Sequence, residues 1–192
     1  SFVRSDIRDD RTGVDLTVKF TILNTNNSCS ALSGAIVDIW HCDKDGYYSE
    51  YGGSGMDTVS YVLAMEEISK VDASVSVCMS VNNSLVCYGL QEYGNEEQKQ
   101  TYLTPLAQGK KNGELYIGAF LLSEPEAGSD ATSQRTTAED KGDYYLLNGT
   151  KNWITNGNSS SFYIVIAQTN VDAGHKGINA LIVEKGMPGF TV

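Results

Sequence analysis

The chain has 192 residues, 41% of them hydrophobic and 20% charged, with 14 Lys and Arg against 24 Asp and Glu for a net charge of −10. That composition is ordinary for a globular protein, and the acidic balance argues against a nucleic-acid partner, because a phosphate backbone needs a basic face. No apolar run approaches the ~18 residues of a membrane span, and the two histidines, His41 and His175, lie too far apart in the chain for an H-E-x-x-H helix or the histidine pair of a zinc finger. A nucleophile elbow is also missing: Gly52-Gly53-Ser54-Gly55-Met56 fails the G-x-S-x-G pattern at its last position. The same stretch fails as a phosphate loop, with Thr58 in place of the third glycine and Asp57 set to repel phosphate, so it reads as a linker. The four cysteines fall into two kinds of surroundings. Cys29 and Cys42 lie in a strand-rich stretch where they could bridge neighbouring strands, whereas Cys78 and Cys87 read as small buried hydrophobes. The opening Ser1-Phe2-Val3-Arg4 is neither an initiator Met nor a signal peptide, so a processed chain or a fragment is expected.

In chain order, Val14–Ile22 alternates apolar and polar residues and predicts a half-buried strand, followed by the turn cluster Asn24–Ser28. Ala35–Trp40 predicts a second strand and Asp43-Lys44-Asp45-Gly46 a tight turn. An EF-hand alignment of that turn puts His41 and Gly52 at ligand positions, which excludes it. From Asp57 the period becomes helical. Asp57 is placed to cap a helix over 58–70, with Val59, Val62, Leu63 and Ile68 on one apolar face. A second, mostly apolar helix is predicted over 72–90, ending at Gly89. Asn95 caps a third, with Glu96 and Glu97 where the helix dipole favours them, ending near Pro105–Gly109. Strands are then predicted at Ile117–Leu122, Tyr144–Asn148, Phe162–Gln168 and Ile178–Val183, with Asn148-Gly149 as a hairpin signal. Helices followed by a run of antiparallel strands make an α+β chain.

Two long motifs carry chemistry. The segment Leu122-Ser123-Glu124-Pro125-Glu126-Ala127-Gly128-Ser129-Asp130-Ala131-Thr132-Ser133 resembles the flavin-loop signature of the acyl-CoA dehydrogenases. Leu147-Asn148-Gly149-Thr150-Lys151-Asn152-Trp153-Ile154-Thr155-Asn156 resembles that family's second motif. Met65–Ser69, Tyr93–Lys99 and Lys176-Gly177-Ile178 add supporting similarity. The resemblance covers 57–192 and implies a helical part over 57–111 and a β-barrel-like middle domain over 112–192.

It implies FAD as cofactor. An oxidised flavin is large, flat and electron-poor, so its site needs an apolar slab and a few donors at the ring's polar edge. By resemblance the cofactor-binding residues are Phe120, Leu122, Ser123, Gly128, Ser129, Trp153, Ile154 and Thr155. Trp153 would pack on the isoalloxazine, Thr155 would sit near the nitrogen that receives hydride, and Gly128 would let backbone approach the pyrophosphate. Ser129 would also lie near the thioester substrate. Singly, Trp153 reads as a core aromatic and Gly128-Ser129-Asp130 as a loop; the flavin reading rests on the set at this spacing. Two departures stand out: Lys110–Ile117 is longer than the usual link, and Leu121 replaces a small residue.

The implied parent activity is α,β-desaturation of an acyl-CoA thioester, with an electron-transfer flavoprotein as electron acceptor and a homotetrameric assembly. The family's catalytic carboxylate lies on a C-terminal helical domain expected beyond Val192, so no catalytic residue is named and Glu124 and Glu126 are not assigned that role. On this reading the chain is an inactive fragment, cytoplasmic, holding flavin weakly.

Residues 1–52 resemble a different family, the intradiol ring-cleavage dioxygenases of the secreted type. Arg4-Ser5-Asp6, Ser28-Cys29, Leu32–Asp43 and Gly46-Tyr47-Tyr48-Ser49 carry that resemblance. It implies ferric iron, with Tyr48 as a phenolate ligand, a hard oxygen donor suited to that metal. The second tyrosine and the histidine pair of that family are missing from the segment, so Tyr48 is expected to be an orphaned ligand. The two resemblances meet within residues 53–56, which predicts a chimera joined there.

Overall fold

The computed structural model describes residues 23–24, 30–31, 51, 53 and 58–192. The dioxygenase-like motif, Tyr48, Asp57 and the Cys29–Cys42 pair lie outside the described residues. Two short strands, β1 (Leu23–Asn24) and β2 (Ser30–Ala31), pair antiparallel across the expected Asn24–Ser28 turn.

The helical part begins with α1 (Thr58–Val71), then α2 (Ala73–Ser80), whose N-cap Asp72 accepts from the amides of Ser74 and Val75. The next turns, Val81–Cys87, are wound as a π-helix and run directly into α3 (Tyr88–Tyr93). The helix expected to stop at Gly89 therefore continues to Tyr93, because Gly89 sits inside it and the chain turns extended only at Gly94. Asn95 caps α4 (Glu96–Gln98) through a reciprocal capping box with Gln98. A second π turn, Lys99–Leu103, leads into α5 (Thr104–Gln108), which ends at Gly109 in the left-handed conformation. The apolar face expected of α1 is not buried among the described residues: Val59, Val62 and Leu63 are exposed, and only Ala64 is enclosed.

A small hairpin, β3 (Lys110–Lys111) and β4 (Glu114–Leu115), accommodates the lengthened link before the sheet. The sheet contains β5 (Gly118–Leu121), β6 (Thr137–Asp140), β7 (Tyr145–Asn148), β8 (Phe162–Gln168) and β9 (Ile178–Glu184). It is mixed rather than antiparallel, with β5 and β6 both parallel to β8 and the pairs β6–β7 and β8–β9 antiparallel. Strand β9 occupies one edge of β8 along its whole length, so β5 and β6 share the other edge, β5 at Phe162–Val165 and β6 at Gln168. No closed barrel forms among the described residues.

Strand β8 is the axis of the core. Its run Phe-Tyr-Ile-Val-Ile-Ala is buried on both faces, the pattern of a central strand covered on two sides. Phe162 and Ile164 face Val86, Cys87, Leu90, Leu103, Leu106 and Tyr116. Tyr163 and Val165 face the opposite way, toward Ala119, Leu121 and Val183, with Leu147, Ile154 and Phe190 at the rim. The hairpin expected at Asn148-Gly149 forms upstream instead, where β6 and β7 are joined by a Lys141 amide bonded to the Tyr144 carbonyl at 2.9 Å. Gly149 serves close approach: a Cβ there would sit 2.3 Å from Thr136 Oγ1 and 2.7 Å from its Cα. No helix among the described residues is long and apolar enough to cross a membrane.

Candidate flavin-edge site

Strand β5 delivers the first motif. Phe120 is half-buried against the helix-side core, Leu122 and Ser123 follow the strand end, and the chain then closes on itself through reciprocal Glu124–Ala127 backbone bonds of 2.8 and 3.3 Å. Gly128 and Ser129 lie exposed beyond that loop, and a Cβ at Gly128 would meet nothing within 4 Å. Neither packing nor left-handed backbone requires this glycine. Asp130 holds the next turn, accepting from the Thr132 amide and from the Thr132 and Ser133 hydroxyls. Those bonds hold its carboxyl below the usual carboxylate range.

The second motif crosses the end of the first. The Asn152 amide donates to the Ser123 carbonyl at 2.8 Å. One residue earlier, the Lys151 ammonium donates to the Leu122 carbonyl at 3.0 Å, to Glu124 Oε1 at 2.7 Å and to Gln134 Oε1 at 3.1 Å. The ion pair is enclosed, with the Lys151 and Glu124 side chains 6% and 2% exposed. Glu124 also accepts from the backbone amides of Arg135 and Thr136. Burial raises the pKa of this carboxyl, but the bonds from Lys151, Thr136 and Arg135 outweigh it and bring it down to about 2. Burial lowers the Lys151 ammonium from its usual range, with Glu124 acting against that shift. A carboxylate so committed is no general base, and Glu126, at the surface 3.8 Å from Arg135, is not aimed into the site.

Trp153 follows immediately. Its backbone is left-handed, φ 61°, and its residue surface is 93% exposed. A bulky residue held in that conformation costs about 1–3 kcal/mol and persists only where its surroundings over-determine it. Those surroundings are Lys151 and Asn152 on one side and Asn156 on the other. Asn156 is itself left-handed, φ 66°, and its amide donates to the carbonyls of Cys78 at 3.1 Å and Gly118 at 3.2 Å. The Tyr163 hydroxyl then fixes the turn by donating to the carbonyls of Gly157 and Ser160. Between these anchors Ile154 packs on the second core cluster and Thr155 is half-buried.

The structure thus joins Leu122 and Ser123 to the segment carrying Trp153, Ile154 and Thr155, and leaves Gly128 and Ser129 on the exposed loop beyond. Among the described residues the hydroxyls of Ser123, Ser129 and Thr155 have no hydrogen-bond partner, whereas Asp130, Thr132, Ser133 and Gln134 are all committed. A bare aromatic face, three uncommitted hydroxyl donors and an open glycine fit a flat, acceptor-rich ring system with a phosphate tail. Sequence reasoning missed the Glu124–Lys151 pair and Asn156 as the groups that hold the motifs together. Their signal was Lys151, the one charge of the second motif, against the three carboxylates Glu124, Glu126 and Asp130 of the first.

Comparison with known proteins agrees with this geometry. Residues 46–110 match the acyl-CoA dehydrogenase N-terminal domain and residues 119–192 the acyl-CoA dehydrogenase middle domain, the first match starting ahead of the expected junction and including Tyr48. The chain is 51% identical over 143 residues to an acyl-CoA dehydrogenase of Bacillus subtilis, covering 74% of this chain and 36% of the relative. The solved structure of butyryl-CoA dehydrogenase from Megasphaera elsdenii aligns at TM-score 0.70 and 45% identity, over 76% of this chain and 38% of that one. A chain from the structural work on the electron transferring flavoprotein of Acidaminococcus fermentans aligns at TM-score 0.70 and 51% identity, over 74% and 36%. The chain therefore spans little more than a third of the length of these relatives. The relatives are FAD-dependent flavoproteins. Through residues 46–110 and 119–192 the chain belongs to the acyl-CoA dehydrogenase family.

Proposed function

We infer that residues 118–156 build the wall against which an acyl-CoA dehydrogenase flavin rests, and that the parent reaction is α,β-desaturation of an acyl-CoA thioester. Bound there, FAD supplies the acceptor for the electron pair leaving the substrate. This chain's residues bind and orient. The Trp153 face covers the ring, Ser123 and Thr155 donate hydroxyl hydrogen bonds at its polar edge, Phe120 and Leu122 give the apolar flank, and Ile154, packed on the other face of the sheet, anchors the segment that carries Trp153. The Gly128 backbone and the Ser129 hydroxyl serve the phosphate tail, and Ser129 also the thioester side. No described carboxylate is assigned the removal of the substrate's α-proton. Electrons pass on to an electron-transfer flavoprotein, a partner supported by the likeness to the Acidaminococcus fermentans chain.

The observation that carries this reading is Trp153: an exposed aromatic on left-handed backbone, held from both sides by anchors that leave its ring uncovered. Equilibrium dialysis of the intact chain against FAD tests it. Saturable binding with one flavin per chain is expected, weak rather than tight, with flavin colour retained by the protein. No saturable binding at FAD up to about 1 mM, a Kd corresponding to only about −4 kcal/mol, rules the reading out. The dioxygenase reading of residues 1–52 predicts instead a ferric-tyrosinate band, absent from the expected spectrum.

A further inference from the structure

The Lys151 ammonium meets three acceptors, and all three belong to the other motif or to the turn that follows it: the Leu122 carbonyl, the Glu124 carboxylate and the Gln134 side chain. It lies two residues before Trp153, whose left-handed backbone nothing on its own side chain's exposed surface stabilises. Asn156 fixes the far end of the same short segment. A strained residue stays put only when both flanks are pinned, and here one pin is a buried cation. A lysine whose only task was core stability would be out of place: an apolar side chain of similar volume commonly serves a core as well as a buried ion pair does. What an apolar replacement cannot supply is three directed bonds that set where the next two residues stand.

We propose that Lys151 is a positioning residue for the flavin wall, fixing Trp153 and Thr155 against the end of β5 through its bonds to Leu122, Glu124 and Gln134. The proposal rests on the flavin reading of the site for its functional meaning, but its structural content is measurable without flavin. Removing Lys151 alone leaves the Glu124 carboxylate buried without its cation, so Lys151→Met is expected to be poorly stable. Glu124→Gln combined with Lys151→Met removes both charges, keeps the fold and still lacks the three directed bonds.

The test uses the full chain in wild-type, Lys151→Met and double-variant forms. Backbone 15N relaxation at Trp153 and Thr155 is the first readout: order parameters near about 0.85 are expected in the wild type and below about 0.6 in the double variant, the contrast between rigid and flexible backbone. FAD dialysis is the second, with Kd expected to rise by about tenfold or more in the double variant even where its thermal midpoint equals the wild type's. A double variant that keeps rigid amides at 153 and 155, or the wild-type Kd for FAD, overturns the proposal. Rigid wild-type amides that loosen in the double variant, together with no FAD binding by any form, support the positioning role and refute the flavin reading instead.

Discussion

Replacing Lys151 by methionine leaves Glu124 2% exposed with only two backbone donors, those of Arg135 and Thr136. Breaking a buried pair in this way costs about 3–5 kcal/mol, because the remaining charge is neither solvated nor compensated. The carboxyl of Glu124 points the same way: the bonds from Lys151, Thr136 and Arg135 bring it from 4.5 to about 2, so part of the stability of the site is tied to the ionised carboxylate. Because the folded-state pKa is depressed, this stability is complete above about pH 4.5 and disappears as pH falls toward 2. Lys151→Met should therefore lower the thermal midpoint by roughly 10 °C at neutral pH for a chain of this size. Glu124→Gln should flatten the acid limb of the wild-type profile between about pH 4.5 and 2. Urea denaturation at several pH values, run on both single variants and the double, closes a cycle that isolates the pair. A loss under about 1 kcal/mol in Lys151→Met, together with an unchanged acid limb in Glu124→Gln, would show that the two charges do not act as a buried, mutually compensated pair.

Other perturbations follow from single contacts. Asn156→Ala removes the donors to the Cys78 and Gly118 carbonyls and should cost about 1–3 kcal/mol in urea unfolding. Gly149→Ala places a methyl against Oγ1, Cα and Cβ of Thr136 and should destabilise by about 1–3 kcal/mol, measured by urea unfolding. Leu103→Ala empties a fully enclosed position between the helices and β8 and should cost about 2–5 kcal/mol by calorimetry. Trp153→Ala removes an exposed ring and should leave stability within about 0.5 kcal/mol, which separates its role from that of a core tryptophan.

Local chemistry was legible in the sequence. Asn95 as a helix cap, the helix end near Gly109, the β8 run and the family to which the two motifs point all read correctly, because each depends on neighbours within a few residues. What was not legible depends on long-range pairing. Thr137–Asp140 is polar and has no strand-like alternation, and it becomes a strand because β7 pairs along it. The parallel alignment of β5 and β6 on one edge of β8 follows from β9 filling the other edge, which no local pattern states. Gly149 read as a hairpin glycine, but its lack of a side chain serves contact with Thr136, 13 residues earlier in the chain. The π-helical turn at Val81–Cys87 was equally hidden; there Asn82 Oδ1 accepts from the Gly118 amide at 2.9 Å and ties helix to sheet. In the site, the motifs named the groups proposed to face a cofactor. The buried charges that hold those groups in place lie 27 residues apart and could be paired only by the fold.

If Trp153 is held out as a surface for a flavin, isothermal titration with FAD must separate the intact chain from its Trp153→Ala variant. Saturable binding is expected in both proteins, weakened by about tenfold in the variant, the ~1.4 kcal/mol of a lost ring–ring contact, with stability unchanged. Equal affinities for FAD in the two proteins would show that the exposed ring of Trp153 is not a flavin surface.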